Sequence, residues 1–494
     1  MLVPFSTIYT RGYDIVNYML KARKLSKSIV QFYKKPEGFF VFTALIFGGL
    51  FMLVVPPLQT PDEYTHLLRA YEVSEFSHPK EYPGTNGQKG SYMPASIGDT
   101  GDLINPVILF GNQSAKYDHH TTKAALVDIP LNQADKVFYK TASTPPYPPA
   151  VYYPSALAIL IAKFFDMPFI VMIYLVRIIN LSLWLALGFS IIRLFPWKKW
   201  AVAGLLLLPM LVAQSVSAGV DVIVVGSSLL FASIIFKAIA YKEPVSILKI
   251  GILILILSIS ALSKSIGLAL APLILLIPNR QFMNAKIAFF LKLLVVVVPV
   301  IAYLSWSAIA AGRESAATNL NISGQDSASQ VDYLVDDPFN FTEALFNTYF
   351  FSAGDNVINS FIGYFGAYDT PLPATFIIIG YLLVAFSLFV NIDGDQIKHR
   401  LKKKRDLIIV GAVALIYAMG ICLAMYIYAS PVANEIIVGT QGRYFLIIPV
   451  LLIPLFLSLD IKTNKRFFVK VITSLTYVLL LASATTVMFR YYIP

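Results

Sequence analysis

Residues 38–70 read GFFVFTALIFGGLFMLVVPPLQTPDEYTHLLRA, and the change of character at Pro56 decides the fold. The first part, 38–56, is apolar and carries no charge. About 20 such residues cover the roughly 30 Å hydrocarbon thickness of a bilayer. The second part opens on two prolines and then brings Asp62, Glu63, His66 and Arg69 within a few residues of one another. A span that ends at Pro56 delivers these groups to the membrane surface.

Working outward, apolar runs recur at 169–193, 200–217, 220–240, 247–262, 264–279, 286–310, 373–392, 407–429, 443–459 and 469–490, which predicts about eleven spans. The composition agrees: 57% of the 494 residues are hydrophobic and 14% charged, against about 25% charged in soluble domains. The expected fold class is an all-α polytopic membrane protein with interfacial helices. The single cysteine, Cys422, excludes an intrachain disulfide framework.

The net charge of +11 has a topological reading that needs no nucleic acid. Seven Lys and Arg precede Pro36. Others gather in short turns: Arg193, Lys198 and Lys199; Lys237, Lys242 and Lys249; Arg280, Lys286 and Lys292; Lys398 to Arg405; and Lys462, Lys465, Arg466 and Lys470. Basic residues in short loops mark the cytoplasmic side. All these turns fall on one side when the ambiguous stretches 150–165 and 356–368 are interfacial or re-entrant, which places 26 of 39 basic residues inside. The expected organisation is a basic cytoplasmic leader, 1–37, retained rather than cleaved, and a transmembrane domain, 38–494. Two sizeable loops, 57–168 and 311–372, lie outside the cell. No cytoplasmic segment is large enough for a nucleotide-binding domain.

Thr60-Pro61-Asp62-Glu63 reads as a helix start, with Thr60 as N-cap, Pro61 in the first turn and Glu63 closing a capping box. On such a helix Asp62, His66 and Arg69, spaced i, i+4 and i+7, share one face. A carboxylate, an imidazole and a guanidinium aligned at a membrane surface suit acid–base chemistry beside an anion. Elsewhere on the same side stand Asp221, which opens a span, Lys264, between two apolar runs, and Gln441 and Arg443. Each also has an ordinary structural reading: helix capping for Asp221, and snorkelling to the interface for Lys264 and Arg443.

The stretch Pro56-Pro57-Leu58-Gln59-Thr60-Pro61-Asp62-Glu63, with His66 and Arg69-Ala70 following, resembles a bacterial family of membrane proteins of unknown function whose hallmark is this motif. Further likenesses run from about residue 50 to 450. They are Thr144-Pro145-Pro146-Tyr147-Pro148-Pro149, Tyr152-Tyr153, Arg177, Ser217-Ala218-Gly219-Val220-Asp221, Ala261-Leu262-Ser263-Lys264 and Gly439-Thr440-Gln441-Gly442-Arg443-Tyr444-Phe445. That family is similar, more distantly, to the GT-C superfamily of polyprenyl-phosphate-sugar glycosyltransferases.

The resemblance implies a sugar donor linked to polyprenyl phosphate, an acceptor hydroxyl on a cell-envelope glycan such as a teichoic acid, and a site outside the bacterial plasma membrane. Asp62 matches the general base. Glu63, His66, Arg69, Asp221, Lys264, Gln441 and Arg443 are the candidate substrate-binding residues, with Arg69, Lys264 and Arg443 offered to the leaving phosphate. Arg177, two turns inside its span, is expected to support the loop or the cavity. No cofactor is expected. A divalent metal, which some GT-C members bind, would need converging oxygen ligands, and neither Asp62-Glu63 nor Asp118-His119-His120 has a specific spacing for one. Tyr82, Tyr92, Tyr117 and Tyr152 are ordinary interface aromatics that could also stack on sugar.

Two other readings compete. A transporter or flippase of lipid-linked saccharides should place ionisable groups near mid-membrane, often in paired repeats, and no repeat is visible. A polysaccharide polymerase or ligase should carry an arginine-rich second outer loop, whereas 311–372 holds Arg313 alone beside eight acids.

Overall fold

The computed structural model describes residues 27–78, 80–81, 89–104, 116–118, 120, 123–124, 129–141, 147–311, 324–352, 354–392, 401 and 403–493. Most of the basic leader, Tyr82, His119, Thr144 to Pro146, Arg313 and Lys398 lie outside these residues. The chain is mainly helical. In chain order the principal helices are α1 (Pro36–Val54), α2 (Glu63–Ser74), α3 (Tyr153–Phe164), α4 (Phe169–Leu194), α5 (Asp221–Tyr241), α6 (Ile247–Ser263), α7 (Ala285–Ala311), α8 (Ala374–Phe389), α9 (Lys404–Ala429) and α10 (Lys465–Tyr491).

Among the described residues six helices, α1, α4, α5, α7, α9 and α10, are long and apolar enough to cross a membrane. The other five expected spans are helical but shorter or broken, and proline accounts for most of the difference. Pro209 ends the helix Lys199–Leu206 and starts another, Pro209–Gln214. Pro272 lies in a 3-10 helix, Ser265–Leu276, which rises about 2.0 Å per residue and so reaches further than an α-helix of equal length. Pro449 and Pro454 confine the segment after Arg443 to a short helix, Ile448–Phe456. In each case the ring removes a backbone donor and crowds the preceding turn.

Between α1 and α4 the chain adds a three-stranded antiparallel sheet, ordered Lys80–Glu81, Lys89–Pro94, Lys136–Lys140, a small departure from an all-α expectation. The stretch 150–165 is a 3-10 turn, Pro149–Tyr152, followed by α3. The stretch 356–368 is a helix, Gly354–Ile362, that runs into a two-strand hairpin at Tyr364–Phe365 and Thr370–Pro371.

Hydrogen bonds between helix ends fix which ends lie together. Arg177, in the third turn of α4, donates to the carbonyls of Val55 (2.8 Å) and Pro56 (2.9 Å) at the end of α1. Lys198, just beyond α4, donates to Leu388 O at the end of α8 (2.7 Å). Thus α1 ends where α4 begins, and α4 ends where α8 ends. Both long loops therefore begin and end at the same end of the bundle. The turns holding Lys198, Lys199, Lys237 and Lys249 lie at the other, where Glu37 and Glu243 pair with Lys199, Lys237 and Lys249.

Candidate active site

The helix after α1 starts later than the motif suggests. Pro61 and Asp62 form a turn, α2 opens at Glu63, and Thr60 Oγ1 has no hydrogen-bond partner. The expected capping box is absent because Glu63 is used elsewhere. Its carboxylate takes two hydrogen bonds from Arg177, at 2.8 and 2.7 Å, with both side chains fully buried. An arginine inside a span needs a counter-ion, and Glu63 supplies it while the α1 carbonyls satisfy the remaining guanidinium donors. Glu63 is thereby placed in a structural clamp, apart from the charged groups around Asp62.

Freed from the helix, Asp62 adopts a left-handed backbone conformation (φ 62°). An L-residue rarely occupies that region, though Asp and Asn tolerate it best. The turn presents its carboxylate to Arg443, whose Nη2 lies 2.6 Å from Oδ2. Arg443 reaches in the other direction to Asp221, Nη1 to Oδ2 at 3.1 Å. Asp221 in turn accepts from Lys264 at 2.8 Å. The four side chains form a chain of alternating charge: Asp62, Arg443, Asp221, Lys264.

Each member comes from a helix terminus or the turn beside one. Asp221 is the first residue of α5, Lys264 follows the last of α6, and Arg443 sits in a 3-10 turn, Gly442–Phe445. That turn is seated closely. A Cβ on Gly442 would lie 2.1 Å from Val357 O and 2.2 Å from Phe361 N, so only glycine permits this approach. Gly442 N donates to Ser360 Oγ. Gln441 Oε1 accepts from both Arg443 Nε and Tyr368 Oη, each at 2.6 Å. Tyr444 lies 4.2 Å beneath Lys264 Nζ and 5.4 Å from the Arg443 guanidinium carbon, close enough for cation–π attraction.

The two ends of the chain are more exposed than its middle. The Arg443 side chain is 3% exposed, Asp221 17%, Lys264 25% and Asp62 57%. Partial burial works against the Asp62 charge, but Arg443 and His66 outweigh it and hold the carboxyl below its ordinary range. His66 is buried, with Nδ1 2.7 Å from Tyr152 Oη. Burial pushes its imidazole down to about 4, although Asp62 and Asp221 pull the other way. His66 is therefore neutral at pH 7.

Arg69 takes no part in the chain of charges. It is wholly buried and pairs at 2.7 Å with Glu72 on its own helix, the i,i+3 partner that a helix offers first. Glu72 also accepts from Ser91 Oγ at 2.5 Å and Thr141 Oγ1 at 2.6 Å, tying the sheet to α2. Of the outer-loop tyrosines named from the sequence, Tyr92 packs on Phe138, Tyr117 packs on Tyr492, and Tyr152 reaches the site through His66. Sequence reasoning missed Tyr368 and Ser360, which no local pattern marks, and the Glu72 hub. Among the described residues no group of three or more His, Cys, Asp or Glu side chains could hold a metal ion.

The fold and its site define a helical, multi-pass membrane protein with a charged cluster built at adjoining helix ends. Residues 45–453 match the family described as predicted membrane protein (DUF2142), and the chain belongs to that family. No curated protein and no solved structure matches the chain.

Proposed function

We propose that the protein is a glycosyltransferase of the GT-C type, with about eleven membrane crossings. It would move a sugar from polyprenyl phosphate to a hydroxyl of a cell-envelope glycan on the outer face of the bacterial plasma membrane. The observation that carries this reading is the convergence of Asp62, Arg443, Asp221 and Lys264 at one end of the bundle. Two carboxylates and two cations at helix ends suit a lipid headgroup, where a transporter would gather its charges near mid-span. The position of the basic turns at the opposite end supports an extracytoplasmic site.

In this reading the donor phosphate binds Lys264 and Arg443. Each nitrogen of Arg443 has one partner, Nε Gln441, Nη2 Asp62 and Nη1 Asp221, and in this reading the phosphate replaces the most exposed of them, Asp62. Released from the guanidinium, Asp62 becomes a better proton acceptor. The acceptor oxygen then attacks the anomeric carbon and gives its proton to Asp62. The bond from that carbon to the phosphate oxygen breaks, and its electron pair leaves on the phosphate. Attack from the back side inverts the anomeric centre. Arginine suits the leaving group because its planar fork donates two hydrogen bonds at once, and fixed positive charge stabilises the charge that develops there.

The test is transfer from radiolabelled polyprenyl-phosphate sugars in membranes holding wild type or Asp62→Asn. Asparagine tolerates the left-handed backbone, so folding is expected to survive while turnover falls about 10²–10⁴-fold, the usual contribution of a general base. Near-normal turnover would remove Asp62 from that role.

A further inference from the structure

The second long loop carries an outward apolar face. Its helix Phe339–Asn347 continues into a single π-helical turn, Thr348–Ser352. Phe346, Phe350 and Phe351 are exposed there, the last two at 71% and 74%. Their rings gather on one another: the centre of Phe346 lies 4.6 Å from that of Phe350 and 5.5 Å from that of Phe351. An exposed apolar patch marks a surface that meets a membrane or a partner rather than water.

Contacts with α9 and α8 fix the depth of this face. α9 leaves the basic end at Lys404 and Arg405, and about 20 residues counted from Leu407 cross the hydrocarbon, which ends the crossing at Tyr426. The Phe341 ring packs on Tyr426, and Tyr349 Oη lies 3.2 Å from Cys422 Sγ, about one turn nearer mid-membrane. The chain therefore descends beside α9 as it approaches the phenylalanines. α8 gives a second measure. Its 16 residues rise about 24 Å against the roughly 30 Å to be crossed, and Lys198 holds its last turn at the basic end. Its first turn thus lies below the loop-side surface. The helix Gly354–Ile362 packs lower still: Phe361 stacks on Tyr381 at 5.6 Å, and a Cβ on Gly380 would lie 2.5 Å from the Ile362 side chain. Asn347 donates to Glu435 O and Glu343 is exposed, which sets the water surface just above the three rings.

We propose that the second long loop dips into the leaflet on its own side of the membrane, with Phe346, Phe350 and Phe351 inserted among the acyl chains. Ile358, Ile378 and Leu382 are exposed as well, and Ile358 O accepts from Tyr381 Oη at 3.0 Å. The outward side chains of α8 and of the helix packed on it are therefore apolar alike, as a lipid surface requires. Val357 and Phe361 also seat Gly442, so the inserted loop ties the Arg443 turn to the membrane. This role is independent of the chemistry at the site.

The test places a nitroxide spin label on Phe350→Cys and, separately, on Phe351→Cys of the full-length protein in nanodiscs. It measures collisions of the label with oxygen, which concentrates in hydrocarbon, and with a water-soluble nickel chelate. Lys136→Cys, on the exposed sheet, is the aqueous reference, and Ile378→Cys, on α8, is the lipid reference. Cys422 is buried and adds little label. Both phenylalanine side chains are exposed, so each variant is expected to keep a Tm near that of wild type.

The labels are expected to lose nickel collisions relative to Lys136→Cys and to gain oxygen collisions toward the level of Ile378→Cys. The proposal stands if either label does so. If neither does, it is overturned: nickel collisions as frequent as at Lys136→Cys put the face in water, and loss of both kinds of collision shows that another protein chain covers it.

Discussion

At the scale of single residues, the site depends on neighbours that change what each side chain can do. Asp62 has a depressed pKa because of Arg443, and His66 a depressed pKa because it is buried. The sign of the pH dependence follows from His66. An unfolded histidine binds a proton near pH 6.5, whereas the folded one resists protonation down to about 4. Between these values the unfolded chain carries more protons, so stability falls as pH drops through this window. The Tm of wild type should therefore decrease from pH 6.5 toward pH 4 more steeply than that of His66→Gln, measured by thermal unfolding in detergent. Parallel curves would show that His66 is not held neutral. Asp62 acts in a separate window: its depressed pKa contributes stability above the ordinary carboxylate range that is lost only in stronger acid.

At the scale of elements, two contacts place the catalytic candidates. The Glu63–Arg177 clamp joins the start of α2 to α4 and to the last carbonyls of α1. Removing one partner leaves a buried, uncompensated charge, a loss of about 3–5 kcal/mol. Arg177→Met should thus lower Tm sharply, and adding Glu63→Gln should restore part of it, because the stranded carboxylate is gone; strict additivity in a double-mutant cycle would count against the clamp. Gly442 is the second contact. Gly442→Ala must push the Gly442–Phe445 turn off Val357 and Phe361, which moves Arg443. The expected result is weakened binding of phytanyl phosphate with α-helical circular dichroism retained; unchanged binding would mean the turn can shift without carrying Arg443 along.

At the scale of the whole molecule, the two long loops and the charged cluster share one end and the basic turns the other. Cys422 is buried, so an impermeant thiol reagent has little background. Cysteine at exposed Lys136 should label in intact cells, and cysteine at exposed Lys242 only after permeabilisation; the reverse pattern would invert the orientation. Much of this plan was legible in the chain itself. Hydrophobic run length and the grouping of lysine and arginine specify a membrane protein and its two faces, because burial in lipid and charge at its surface act on each segment alone. The motif at 56–70 and the lone cations at 264 and 443 marked Asp62, Lys264 and Arg443 as candidates for the same local reason, and these side chains lie in one charged cluster. Pairing was not legible. Glu63 and Asp62 are adjacent and chemically alike, yet one clamps Arg177 and the other faces Arg443. Arg69 reads as a phosphate ligand until Glu72 takes it. Which charge finds which partner depends on distances between helices that are far apart in sequence, and only packing the helices together sets those distances.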